Sequence, residues 1–341
     1  MNQLRNQLTR ALNALWYKGN KLYYALVPIT YVYLGIIWLR RTAYRFGLLK
    51  SVDVGAPVIV VGNLTTGGTG KTPLVVWLAR RLRGRGYRVG ILCRGYGGSA
   101  DKWPQPVHAK SDAKLVGDEA KLLAQLAECP VVAGPDRVAA GRMLLRPGNV
   151  DVILSDDGLQ HYRLKRASEV VVIDGARGLG NRLCLPAGPL REPVTRLREV
   201  DAVVVNAGEY DSSRAMHAKM YPVRVRELAT GAEKSIADFA GKTVHAVAGI
   251  GNPERFFDML LEHGIDVEPH PLADHAKIEQ ADISFDDDLL VLVTAKDAVK
   301  CVGIDVKNVW CVDAQLEFSP EDAARFESYL TRLLDHQPVN Q

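Results

Sequence analysis

The sequence predicts an α/β fold with a mostly parallel sheet and flanking helices, preceded by an apolar helix and followed by a smaller α/β unit. Three observations predict it. Short apolar runs at Val58–Gly62, Tyr87–Cys93, Asp151–Ser155, Val170–Asp174 and Ala202–Asn206 read as strands buried on both faces. Stretches of helical spacing alternate with them, the pattern of βαβ units and a parallel sheet. The first run leads through a glycine-rich turn directly into a helix.

That turn, Val58 to Thr72, reads VIVVGNLTTGGTGKT. Thr65, Thr66, Gly67, Gly68, Thr69 and Gly70 would point backbone N–H groups into a concavity at a helix N-terminus, which suits a polyphosphate. Lys71 would reach the terminal phosphates and the Thr72 hydroxyl would sit on Mg²⁺. The first glycine of the strict G-x-x-x-x-G-K-[ST] pattern falls on Thr65, so the match is incomplete. The order of strand, turn and helix still predicts nucleotide binding over an ordinary corner, and hence a P-loop NTPase type of sheet.

The chain takes the elements in order. Thr72-Pro73 opens a helix, with proline where no N–H is required, and Leu74, Val75, Leu78 and Leu82 recur at helical spacing. Tyr87–Cys93 is the next strand, and Arg94-Gly95-Tyr96-Gly97-Gly98 follows at its C-terminal end, where open α/β sheets bind ligands. Gly117-Asp118-Glu119 starts a helix to about Glu128, and Pro130–Ala133 is a short strand. Asp136 caps a helix that ends near Arg146-Pro147. The strand Asp151–Ser155 runs into Asp156-Asp157-Gly158-Leu159-Gln160-His161, and a proline-rich loop spans Pro186 to Pro193. Residues 208–240 are polar and weakly periodic, which suggests a boundary near 225–240. Beyond it, Val244–Gly249, Asp288–Thr294 and Val309–Val312 read as strands, with helices at 253–263 and 320–334. The expected division is 1–50, 51–230 and 231–341.

Composition bounds the function. Among 341 residues, 47% are hydrophobic and 24% charged, as in a globular protein. Five scattered cysteines without C-x-x-C argue for a reducing compartment and against a disulfide or zinc framework. Residues 1–50 hold eight of the 43 basic residues and no acidic one, leaving 35 basic against 39 acidic in the remainder. The basic character is therefore local. It flanks the uncharged stretch 22–39, LYYALVPITYVYLGIIWL, whose distributed tyrosines and Trp38 fit an interfacial segment better than a spanning one. The expectation is an anionic membrane surface as partner, and no nucleic acid. A buried or subunit-facing helix is the blander alternative.

Asp156 and Asp157 end an apolar strand, where a P-loop enzyme needs a second Mg²⁺ contact. Two adjacent carboxylates near a core are costly to leave unpaired, and a divalent cation removes that cost; the blander alternative is an N-cap or turn pair, because Asp-Gly is a turn dipeptide. Asp118 and Glu119 sit at a helix N-terminus, where the dipole alone accounts for acids. His161 and His275 are ambiguous as single histidines, and Arg94, Arg191 and Glu192 as surface charges.

Together, GNLTTGGTGKTP, RGYGG, GDE, SDDGLQH and PAGPLREP, in that order and behind an apolar basic N-terminus, closely resemble the tetraacyldisaccharide 4′-kinase family of lipid A biosynthesis. The likeness continues through the ADH and TAKDAVK stretches and so covers essentially the whole chain. It implies transfer of the ATP γ-phosphoryl group to the 4′-hydroxyl of a tetraacyldisaccharide 1-phosphate, giving lipid IV-A, at the cytosolic face of the Gram-negative inner membrane. It also implies Lys71 and Thr72 on phosphate and Mg²⁺, Asp156 and Asp157 in the Mg²⁺ site, Asp118 as general base and His275 paired with it. Gln160 and His161 of the DDGLQH motif, with Arg191 and Glu192, match active-site stretches. Two departures stand out: the family's Asp-His-His reads Asp274-His275-Ala276, and its Thr-Glu-Lys-Asp reads Thr294-Ala295-Lys296-Asp297. The rival class is a P-loop nucleotide switch or metallochaperone-type GTPase, against which stands the lack of any N-K-x-D or T-K-x-D.

Overall fold

The computed structural model describes residues 12, 14–19, 21–146, 148–210, 212–274 and 276–335. Its strands are β1 (Val58–Gly62), β2 (Val89–Cys93), β3 (Gln105–Val107), β4 (Val131–Ala133), β5 (Val152–Asp156), β6 (Ser168–Asp174) and β7 (Ala202–Asn206). They continue with β8 (Ala215–Glu227), β9 (Glu233–Lys234), β10 (Thr243–Ala248), β11 (Asp266–Pro271), β12 (Leu290–Thr294) and β13 (Val309–Phe318). The longer helices are α1 (Val27–Arg45), α2 (Lys71–Gly84), α3 (Asp118–Leu126), α4 (Arg137–Leu145), α5 (Glu254–Glu262) and α6 (Pro320–Asp335).

All the strands belong to one sheet, in the order β11-β10-β12-β13-β8-β7-β6-β1-β5-β2-β4-β3, with β9 on β8. From β4 to β8 the pairing is parallel, and from β13 to β11 it is parallel again. One antiparallel seam, β8 against β13, joins the two blocks. In the first block every residue of β1, β2, β5, β6 and β7 is buried, because helices and loops cover both faces.

The seam decides where the blocks sit. Only the first four residues of β8, Ala215 to Ala218, pair with β7. The strand then runs nine residues further, to Glu227, or about 30 Å. The second block hangs on that extension, since Val312 pairs with both Val225 and Thr294. Being antiparallel to β8, its strands point back, so the C-terminal edges of the two blocks face each other across a cleft. The C-terminal helix α6 returns to the first block, where Phe326, Leu330 and Leu334 pack with Leu74, Leu78 and Leu82 of α2.

Two strands are unlike their sequence signals. β8 lies in the stretch read as polar and weakly periodic, because one face carries His217, Lys219 and Arg224 to solvent and Pro222 sits beside a bulge in the seam. β11 contains Pro269 and Pro271, which its edge position tolerates.

The apolar N-terminal stretch forms a short 3-10 turn, Lys21–Leu26, leading into α1. Tyr31, Val32, Ile36, Trp38 and Leu39 are exposed, and Thr30 is the buried residue of the helix. Lys21–Arg45 spans 25 residues and is long and apolar enough to cross a membrane.

Candidate active site

The C-terminal ends of β1, β5 and β7 converge on the glycine-rich turn. Gly70 has a φ of +93°, and a Cβ there would lie 2.0 Å from the Asn206 Nδ2, which donates to the Thr69 carbonyl at 3.1 Å. Asn206 thus props the turn from the end of β7. From the other side of the cleft, the loop after β10 meets it backbone to backbone: a Cβ on Gly251 would lie 2.3 Å from the Gly68 nitrogen. Thr66 N donates to the Pro189 carbonyl at 2.9 Å, and Thr65 bridges to Leu190, so the proline-rich loop supports the third side.

Within this frame the Lys71 Nζ lies 3.3 Å from the Asn63 Oδ1 and 3.6 Å from the Asp157 Oδ1. The Thr72 hydroxyl donates to the Asp156 Oδ2 at 3.1 Å. The other carboxylate oxygen of Asp156, Oδ1, is buried without a hydrogen-bond partner among the described residues. Burial, then the nearby charges of Glu119 and Asp157, push the Asp156 carboxyl up to about 7, against the pull of Lys71 and Thr72. Asp157 is opposite in behaviour. Burial works against its ionisation, but Lys71 and the Arg191 guanidinium outweigh it and hold the carboxyl well below the usual range. Arg191 grips Asp157 with two nitrogens, at 3.0 and 3.3 Å, and also reaches the Asn63 Oδ1. Two adjacent carboxylates therefore carry different protonation behaviour, one ion-paired and one poised.

Below them lies Arg137, a residue that the sequence does not single out. Asp136 caps α4 through Val138 N and Ala139 N, and this turn aims Arg137 inward. Its buried guanidinium donates to the Asp156 carbonyl at 3.1 Å and the Gly134 carbonyl at 2.5 Å. Burial, then the Arg137 and Arg94 charges, push His161 down to about 4, so it is neutral at cellular pH. Gln160 donates to Glu192 at 2.9 Å, and Glu192, 1% exposed, also accepts from Tyr162 and Arg196. Glu192 and Gln160 thus brace the loop that presents Arg191.

Asp118 and Glu119 begin α3. Gly117 precedes them with φ +94°, and a Cβ there would lie 2.4 Å from the Tyr96 carbonyl oxygen, so the RGYGG loop sets the start of the helix. Arg94 itself is exposed at the end of β2. Across the cleft, the Lys296 Nζ lies 3.1 Å from Glu119 and 3.1 Å from Asp274. His275 lies outside the described residues. A cavity of about 480 Å³ fills the cleft, lined by residues 68–73, Trp77, Glu119, Asn206, Phe256 and Lys296 among others.

Of the functional residues not foreseen, Asn206 has a legible signal, a polar residue ending a buried parallel strand. Asn63 has the same signal at the end of β1, whereas Arg137 has none, because its role depends on what folds over it.

The N-terminal helix reaches this site through the proline-rich loop. The Tyr33 hydroxyl donates to the Arg191 carbonyl at 3.0 Å. The Thr30 hydroxyl donates to the Cys184 carbonyl at 3.2 Å and accepts from Ala187 N at 3.1 Å. The Trp16 indole donates to the Pro186 carbonyl at 3.0 Å.

A family model described as Tetraacyldisaccharide-1-P 4′-kinase matches residues 22–335. A tetraacyldisaccharide 4′-kinase of Alkalilimnicola ehrlichii is 49% identical over 310 residues, 91% of this chain and 93% of that protein. One of Nitrosococcus oceani is 46% identical over 315 residues, 92% and 93% of the two chains. Among solved structures, LpxK from Aquifex aeolicus in complex with ATP matches with a TM-score of 0.75 at 30% identity, over 92% of this chain and 99% of that one.

Proposed function

The chain belongs to the tetraacyldisaccharide-1-P 4′-kinase family, and on that premise we propose how it carries the reaction out. It transfers the γ-phosphoryl group of ATP to the 4′-hydroxyl of a membrane-embedded tetraacyldisaccharide 1-phosphate, giving lipid IV-A in lipid A biosynthesis. The observation that carries the lipid part of this reading is the tie between Tyr33 and Arg191. An exposed apolar helix and the triphosphate turn are held by the same loop, Pro186 to Pro193.

Lys71 and the N–H groups of residues 67–72 cradle the β- and γ-phosphates. Mg²⁺, which when bound neutralises charge on those phosphates, fits Thr72, Asp156 and Asp157, an all-oxygen set that includes a buried unpartnered oxygen of Asp156. Arg191 holds Asp157 ionised and leaves guanidinium N–H groups for developing negative charge. Asp118 accepts the proton of the 4′-hydroxyl as the bond to phosphorus forms, with His275 as its partner. Lys296 ties Glu119 to Asp274, and so draws the second block toward the start of α3.

The exposed face of α1 and the cations Arg40, Arg45 and Lys50 suit the headgroup level of an anionic bilayer, the cytoplasmic face of the Gram-negative inner membrane. The test is transfer of labelled phosphate to the lipid disaccharide, with ATP and GTP compared. Label in the lipid from ATP, with ADP formed only when the acceptor is present, is the expected result. Acceptor-independent GTP hydrolysis would overturn it.

A further inference from the structure

A group of side chains in the second block, remote in sequence from the phosphate turn, has metal-ligand chemistry that the kinase reaction does not use. His245 lies in the middle of β10, opposite Glu268 in the register of the parallel pair, and His270 follows two residues along β11 on the same face. The His245 Nδ1 lies 3.0 Å from the His270 Nε2 and 3.3 Å from the Glu268 Oε2. The three donor atoms fall within 4.8 Å of one another.

The other nitrogen of His245, Nε2, lies 3.1 Å from both oxygens of Asp287, whose carboxylate also accepts from Leu289 N at 3.0 Å. A carboxylate on the far nitrogen fixes the tautomer that leaves Nδ1 with its lone pair, the arrangement that supports metal-bound histidines. Phe285 stacks on the His245 ring at 3.7 Å between centroids and holds its plane. His245 is 3% exposed, so its orientation is set by packing and not by solvent.

The spacing suits a small tetrahedral ion. Bonds of about 2.0–2.1 Å at tetrahedral angles separate neighbouring donor atoms by about 3.3 Å, close to the two separations observed.

We propose that His245, His270 and Glu268 form a binding site for a borderline divalent cation of the Zn²⁺ class, with Asp287 orienting His245. Two imidazoles and one carboxylate favour such an ion over Mg²⁺ or Ca²⁺, which prefer all-oxygen shells. Glu268 is half exposed, which leaves a fourth position for water. The ion pins edge strand β11 to β10, the strand whose C-terminal end carries the Gly249–Gly251 loop that meets the phosphate turn. The site is independent of the kinase reading.

The experiment uses the full-length protein stripped by a chelator, with Mg²⁺ in excess throughout, and Co²⁺ as the spectroscopic probe. The expected result is one Co²⁺ per chain with visible bands of four-coordinate intensity, displaced by one equivalent of Zn²⁺. Glu268→Gln and His270→Gln, at a rim position and an edge strand, should each weaken binding about tenfold or more. Unaltered circular dichroism would show that these variants keep the fold. Zn²⁺ should also raise the thermal midpoint of the parent protein and not of the double variant. No stoichiometric uptake by the parent protein, or uptake equally tight in the double variant, would overturn the proposal.

Discussion

The two parallel blocks present their C-terminal edges to the same cleft, yet they are built differently there. The first block ends in charge: Lys71, Asp156, Asp157 and Arg191 lie on or beside strands buried along their whole length, and Arg137 sits beneath them. The second block ends mainly in backbone, at Gly249–Gly251, and extends Lys296 to Glu119, and Arg255 and Asn252 to Asp174 at the end of β6. The difference divides the work. A phosphate site needs fixed charges whose protonation is set in advance, and that requires a deep core on both faces. The opposing bank needs only to approach closely and tie off, which glycine, Lys296 and the Arg255–Asp174 pair do.

That division can be broken from either side, and the largest effect is expected on the first bank. Asp118→Asn should lower turnover by about 10²–10⁴-fold with little change in ATP affinity, measured by single-turnover transfer and nucleotide titration. Wild-type turnover in that variant would move the base elsewhere. Next comes the approach itself. Gly251→Ala places a methyl group 2.3 Å from the Gly68 nitrogen, so the banks must separate, and kcat/KM should fall by about 100-fold. An unaffected Gly251→Ala enzyme would mean that the second bank does not set the geometry of the first.

A pH series sharpens the comparison. Asp156 holds its proton to about 7, against an ordinary value of 3.8. Protons then compete with a divalent cation below pH 7, and the Mg²⁺ concentration for half-maximal rate should rise by up to about tenfold per pH unit there. The sign for stability follows: the folded state binds this proton more tightly than the unfolded one, so the Asp156 contribution is present below about pH 4 and lost as pH rises to 7. Thermal melts without metal should show less of that loss in Asp156→Asn. The smallest effect is expected at the N-terminal helix, where Tyr33→Phe removes one hydrogen bond to the Arg191 carbonyl. A loss of about 1 kcal/mol in stability and a fall in rate of about fivefold or less are expected, by melting and by initial rates.

The first bank and the central strands of the second were largely legible in the sequence, and the strand that joins the two blocks was not, for a physical reason. Strands covered on both faces must be apolar at every position, so β1, β5, β6 and β7 stand out as runs, and the residues that end them announce a site. Asp156 and Asp157 are read from that position together with the P-loop upstream. β8 is exposed on one face and carries lysine and arginine at alternate positions, so it reads as polar chain, although it is the strand on which both blocks depend. The role of Arg137 arises from burial by distant elements, which no local spacing encodes.

The seam between β8 and β13 has a consequence of its own. The gap between the two banks is measured out in peptide units along one pair of strands, so the protein contains a ruler. Adding two residues to each of β8 and β13 beyond Ala218 would preserve which side chains face inward and move the second block away by about 7 Å. Adding one to each would turn its faces over. Reach across the cleft is thus a quantity that evolution or an engineer can change in steps of a dipeptide wherever the ladder stays regular, away from the bulge at Asp313 and Ala314.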